Sequence, residues 1–142
     1  KGHFEISKYL VDMKANIEGK NIEGETQLIL GSRQGHFEIV KYLVDMKANI
    51  EAKDEYGNTP LGWGSKEGHL EIVKYLVDMK ANIEAEVFGN TPLAWSSEMD
   101  HLEIVKYLVD MKANIEAKNR NGETPYDLAS DDELKSFIKH YC

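Results

Sequence analysis

Apolar residues recur along this chain in one pattern, several times over. Between Glu71 and Asp78, the residues Ile72, Val73, Leu76 and Val77 stand at helical spacing with Glu71 and Lys74 together on the opposite side, which is the layout of a helix with one buried stripe. Ahead of it, Gly57-Asn58-Thr59-Pro60-Leu61 predicts a second, shorter helix. The Thr hydroxyl can accept one of the free N–H groups at a helix start, and Pro suits the first helical position, where no backbone bond is lost. The apolar stripe stops near Asp78 to Ala81, and Ile83 to Asn90 carries an extended start followed by turn residues. That segment predicts a hairpin-like finger. One unit therefore reads finger, helix, helix.

The unit repeats. The segment EIVKYLVDMKANIEA at Glu38 to Ala52 returns letter for letter at Glu71 to Ala85 and at Glu103 to Ala117, and Glu5 to Gly19 is a near copy. The spacing divides the chain into a partial unit at 1–20, units at 21–53, 54–86 and 87–118, and a closing unit at 119–142. The segment before Phe88 is one residue shorter than the one before Tyr56, and this deletion falls in a loop, where it costs little. A lone helix pair leaves an apolar face open, and stacking like units covers it. The predicted fold is an all-α solenoid of one domain. Its last unit replaces the usual second helix with the more polar DDELKSFIKHYC, as a cap facing one neighbour should. At the other end, Phe4, Ile6 and Leu10 belong to a second helix without its own first helix, so the array is expected to continue upstream.

At these residues the chain resembles the ankyrin-repeat family over essentially its whole length. The family places Gly-x-Thr-Pro-Leu-His-x-Ala before a Gly-His and an apolar second helix. Here stand Gly57-Asn58-Thr59-Pro60-Leu61, Gly89-Asn90-Thr91-Pro92-Leu93 and Gly122-Glu123-Thr124-Pro125-Tyr126, with Gly24-Glu25-Thr26-Gln27-Leu28 as a weaker copy. The resemblance implies stacked helix-turn-helix repeats with β-hairpin-like fingers. It also exposes departures. The motif His is replaced by Ile29, Gly62, Ala94 and Asp127, so a hydrogen bond usual in the family is expected to be missing. The Gly that normally ends the second helix is replaced by Lys14, Lys47, Lys80 and Lys112, each at roughly 1 kcal/mol for a side chain in a left-handed backbone. Gly35 and Gly68 become Asp100 in the third copy, a residue that tolerates this region better than most. The family's hydroxylatable Asn corresponds to Glu18, Glu51, Glu84 and Glu116, which cannot take that modification.

Composition then narrows the functional classes. A formal net charge of -8 repels phosphate backbones and anionic lipid, which counts against nucleic acid and membrane surfaces as partners. Cys142 is the single cysteine, so no intrachain disulfide forms and a cytoplasmic or nuclear protein is expected. No apolar run approaches the roughly 18 residues of a membrane span, and a soluble chain is expected. The histidines His3, His36, His69 and His101 invite a metal reading. Equivalent residues of packed helical units stand roughly 8–10 Å apart, whereas each zinc ligand sits about 2 Å from the ion. They are read instead as helix-start residues. His140 and Cys142 form a bare pair with nothing to complete a site. Ser65, Ser96 and Ser97 have no activating His and Asp nearby and read as small packing residues. The glycines occur singly, not as a phosphate loop. No catalytic residue, cofactor or metal is expected.

What remains is binding. The second helices are nearly identical, whereas the finger tips read Ile22-Glu23, Glu55-Tyr56, Val87-Phe88 and Arg120-Asn121, and the ends of the first helices Arg33-Gln34, Lys66-Glu67 and Glu98-Met99. The resemblance implies that these positions line a concave, partner-gripping surface. Aromatic and Arg side chains are the usual anchors of interfaces. The expected binding set is therefore Ile22, Arg33, Glu55, Tyr56, Lys66, Val87, Phe88, Met99 and Arg120, with an apolar centre at Tyr56 and Phe88. Trp63 and Trp95, which share a first-helix column with Leu30 and Leu128, are expected to pack between units, as is the Met13, Met46, Met79 and Met111 column. The expected partner is another protein. Two alternatives stay open: a spacer holding flanking domains apart, and departure from a monomer by self-association through Phe4, Ile6 and Leu10.

Overall fold

The computed structural model describes residues 17–141; the expectations placed on His3, Phe4, Ile6, Leu10, Met13, Lys14 and Cys142 fall outside the described residues. The Thr-Pro steps start helices as the sequence predicts. Short first helices run α1 Gln27–Gln34, α3 Pro60–Glu67, α5 Pro92–Glu98 and α7 Pro125–Leu128, each followed by a second helix: α2 Phe37–Asp45, α4 Leu70–Asp78, α6 Leu102–Asp110 and α8 Asp132–His140. Thr26, Thr59, Thr91 and Thr124 each accept the backbone N–H three residues on. The fingers hold no named strand among the described residues; the third carries one antiparallel bridge, Val87 to Asn90.

First helices pack on first helices and second on second, so the units stack side by side. The second-helix stripe becomes one core: Ile39, Val40 and Leu43 meet Ile72, Val73 and Leu76, which meet Ile104, Val105 and Leu108, closed by Leu134 and Ile138. Each fully buried aliphatic side chain contributes about 1.5–3 kcal/mol, and only a neighbouring unit removes the outer half of this stripe from water.

Polar side chains tie the units together as well. His69 Nε2 donates to the Arg33 carbonyl and His101 Nε2 to the Lys66 carbonyl, both at 3.0 Å and both one unit back. The histidines occupy the N-cap positions of α2, α4 and α6 but make no side-chain cap bond, so the rings of His69 and His101 join repeats where helix starts had been expected as their task. Gly35 and Gly68 have φ of 81° and 84°, and a Cβ there would stand 2.6 and 2.7 Å from the facing imidazole. Asp100 takes the same left-handed backbone at φ 57°. It faces no imidazole, because Asp131 stands where the next His would be, and its Oδ1 accepts the Ser130 and Asp131 N–H groups at 3.0 Å each. On the opposite side Glu18, Glu51 and Glu84 accept the backbone N–H of Asn49, Asn82 and Asn114 in the following unit at 2.6, 2.6 and 2.8 Å.

Three expectations change. Asp127 restores the motif hydrogen bond in the closing unit, accepting the Thr124 N–H at 3.0 Å to complete a capping box; Ile29, Gly62 and Ala94 have no carboxylate with which to do so. Met46, Met79 and Met111 are 43, 44 and 43% exposed because they fall at the C-caps of α2, α4 and α6, past the last buried turn. Trp63 and Trp95 are only half-buried, as are Leu30 and Leu128 in the same column. That column faces away from the second helices.

Lys47, Lys80 and Lys112 have φ of 72°, 76° and 73°. Lys80→Gly is expected to stabilise the domain by about 1 kcal/mol in urea unfolding, while Gly68→Ala, which pushes a Cβ into His101, lowers stability by about 2 kcal/mol or more. The Asp127 carboxyl is held below its usual value of 3.8 by the Thr124 backbone N–H and then by the Thr124 side chain. Because its pKa is depressed on folding, its contribution is present above the ordinary carboxylate range and is lost as pH falls through the folded pKa. The Tm difference between the wild type and Asp127→Ala should shrink on acidification below that range; a difference independent of pH would contradict the assignment.

Candidate partner-binding face

Fingers and first helices share one side of the stack, and the repeat register decides what they bring together there. Positions equivalent to Arg33 and Lys66 lie on the inner side of successive first helices, one turn beyond the Leu30, Trp63 and Trp95 column. The fingers of the second and third units place Tyr56 and Phe88 above the same helices. Tyr56 and Phe88 are 57 and 54% exposed, and together with Arg33, Trp63, Lys66 and Trp95 they wall a cavity of about 370 Å³ whose rim and floor carry Glu23, Glu25, Asp54 and Asn58.

The cavity's charges are arranged unequally. Glu25 is almost wholly buried and pairs with Arg33 at 2.8 Å through Nε, with Nη2 donating at 3.0 Å; Glu23 stands 3.9 Å from the same guanidinium. Asp54 is buried too. Its Oδ1 accepts the N–H of Tyr56 and of Asn58 at 2.9 Å each, and its Oδ2 accepts Trp63 Nε1 at 2.8 Å, so one carboxylate shapes the finger and fixes the indole. Lys66 Nζ lies 5.1 Å from the centre of the Trp63 ring and 4.6 Å from that of Trp95, and the Arg33 guanidinium lies 5.2 Å from Trp63. Cations at these distances are attracted by the negative ring faces, by about 0.5–2 kcal/mol each. Beside the cavity, the Glu55 carboxylate raises the Tyr56 phenol above 10.0 by hydrogen bonding and by its charge.

Of the residues singled out from sequence, Arg33, Tyr56, Lys66 and Phe88 meet at this cavity. Arg120 reaches it indirectly, its guanidinium 5.6 Å from the Phe88 ring. Glu55 is exposed next to Tyr56, and Ile22 is 96% exposed at the first finger tip. Met99, 48% exposed at the C-cap of α5, does not line the cavity. Val87 leaves the set, being only 8% exposed. The one-residue deletion puts Val87, not Glu86, in the backbone pairing that Asp54 makes in the preceding finger: Val87 N–H donates to the Asn90 carbonyl as Asp54 N–H does to Asn58. Its side chain therefore turns under the finger, against Gly57. Trp63 and Trp95 are cavity residues that sequence reasoning assigned to the core. The column they share, Leu30, Trp63, Trp95 and Leu128, is apolar throughout, and a helix of this length does not separate an inner from a buried face.

Among the described residues no group of three or more His, Cys, Asp or Glu side chains is placed to hold a metal ion, and no helix is long and apolar enough to cross a membrane. The family model described as ankyrin repeats (3 copies) matches residues 1–87 and again 80–139. The chain belongs to the ankyrin-repeat family, whose repeats generally serve as protein–protein interaction modules and are typically non-enzymatic. No curated protein matches the sequence significantly.

Asp54→Ala strands the Tyr56 and Asn58 N–H groups and the Trp63 indole together, and an expected loss of about 2–3 kcal/mol in urea unfolding follows. Glu86→Ala, one unit later at the same sequence offset but exposed, should stay within about 0.5 kcal/mol of wild type. Equal effects of the two substitutions would refute the register assigned to the third finger.

Proposed function

We propose that this ankyrin-repeat chain is a docking module that holds a partner protein on the face formed by its fingers and first helices. The observation that carries the reading is the cavity at the junction of the second and third units, where two exposed aromatic rings, two half-buried indoles and two cations converge. Exposed rings of this size are unfavourable in water, and clustered aromatic and basic side chains are the usual energetic centres of interfaces. Positions at the cavity differ between copies, while the second helices α2, α4 and α6, whose side chains build the core, are nearly identical. The binding set on this reading is Tyr56, Phe88, Arg33 and Lys66, extended by Arg120, Glu55 and Ile22 along the fingers.

A spacer that binds nothing has no use for such a cavity. Tyr56→Ala with Phe88→Ala should weaken a captured partner's affinity at least about tenfold, as loss of two anchor residues does, while urea unfolding changes little because both rings lie outside the core. Undiminished affinity in the folded double variant would remove this face from the interface.

A further inference from the structure

We infer that this face selects an acidic residue: the cavity takes one carboxylate side chain of a partner segment onto Lys66, with apolar neighbours of that residue against Tyr56 and Phe88. The inference rests on the docking function just proposed.

The two cations of the cavity differ in what they have left to offer. Arg33 is neutralised within the chain by Glu25, a carboxylate only 3% exposed, at 2.8 Å. Lys66 has indole faces on two sides, yet among the described residues no carboxylate lies within ion-pair distance, 4.0 Å, of its ammonium. Asp54, which lines the same cavity, is engaged by two backbone N–H groups and by Trp63. On the Trp95 side the corresponding place is held by Val87, buried and apolar. Indole faces attract a positive charge but supply no lone pair in the plane of an N–H bond, so the three ammonium donors are served only by water.

A partner that covers this cavity removes that water. If the covering residue is apolar or cationic, an ammonium is left desolvated without an acceptor, which is strongly unfavourable; a neutral amide or hydroxyl supplies a lone pair but leaves the charge uncancelled. A carboxylate restores the acceptor and cancels the charge. The main chain at Lys66 is held by His101 Nε2, which donates to its carbonyl at 3.0 Å from the next unit, and the two indole faces flank its ammonium. The chain's net charge of -8 opposes a run of acids. A single Asp or Glu flanked by apolar or aromatic residues keeps the added negative charge to one and sets it at Lys66, the cavity cation that has no ion pair among the described residues, although Glu23, Glu25 and Asp54 also line the cavity.

The test uses the two indole N–H resonances of Trp63 and Trp95 in the ¹⁵N-labelled chain, titrated with the capped peptide acetyl-Phe-Glu-Phe-amide and with its Gln counterpart. The expected result is saturable shifts at both indoles, with the Glu peptide bound about fivefold more tightly, and loss of that preference in a folded Lys66→Gln variant. Equal affinities for the two peptides overturn the selection of an acid. So does a preference that survives Lys66→Gln, or saturable shifts produced by tetramethylammonium and not by the Glu peptide. A captured partner that is weakened by Tyr56→Ala with Phe88→Ala but indifferent to Lys66→Gln keeps the docking function and defeats the inference; indifference to both defeats both.

Discussion

No helix pair in this chain can satisfy itself. Its second helix has an apolar stripe whose outer half is covered only by the stripe of the next unit, and the carbonyls and N–H groups where its helices end are partly served from next door. His69 and His101 reach back to carbonyls of the preceding unit, and Glu18, Glu51 and Glu84 reach forward to N–H groups of the following one. Burial and hydrogen bonding therefore impose the same neighbour distance from two sides of the stack. A shift of one unit against the next would expose apolar surface and break these inter-unit hydrogen bonds together, which makes the register narrow.

That double duty explains why the second helix and the loop after it are copied almost without change. In the Ala-Asn-Ile-Glu step, Asn82 shapes its own loop by accepting the Glu84 N–H at 3.0 Å, while its backbone N–H goes to Glu51 and Glu84 goes on to Asn114. A substitution there damages two joints. The finger tips and the inner side of the first helices carry no such obligation and are free to differ. The cavity lies at the join of two units, so its shape is set by the stacking even though its chemistry is not.

Helix type and order were legible because Thr-Pro starts and apolar spacing are local signals, and each was repeated. Tyr56, Phe88, Arg33 and Lys66 were legible as differences between copies. The rest depended on relations between units that a single unit does not display. Trp63 and Trp95 occupy a column whose buried or open character is decided by how much of a short helix the fingers cover. Counting residues aligned Val87 with Glu55, whereas backbone pairing aligns it with Asp54, and the two registers send the side chain to opposite sides. Asp100 read as a tolerated replacement for Gly, but its carboxylate caps the closing unit where His would have bonded a carbonyl. The methionines were placed by spacing on a helix that ends one residue before them.

The third finger shows how a small deletion can separate structure from function within one frame. In the second unit Asp54 Oδ2 accepts Trp63 Nε1 at 2.8 Å and faces Asn58 Nδ2 at 3.4 Å. With Val87 in its place, the equivalent Trp95 Nε1 is buried without a partner. Such a group costs about 1–3 kcal/mol, in a domain whose other copies show how to avoid it. The deletion also leaves the Lys66 ammonium without an acid on that side and brings an exposed Phe88 to the rim at φ 52°. Departures from local consistency that gather at one place and bring no gain in stability are the mark of a surface shaped for something outside the chain. Here the unpaired Trp95 indole N–H and the left-handed Phe88 lie where the cation, the indoles and the two exposed rings meet, while the left-handed Lys47, Lys80 and Lys112 sit apart from them, just past the second helices.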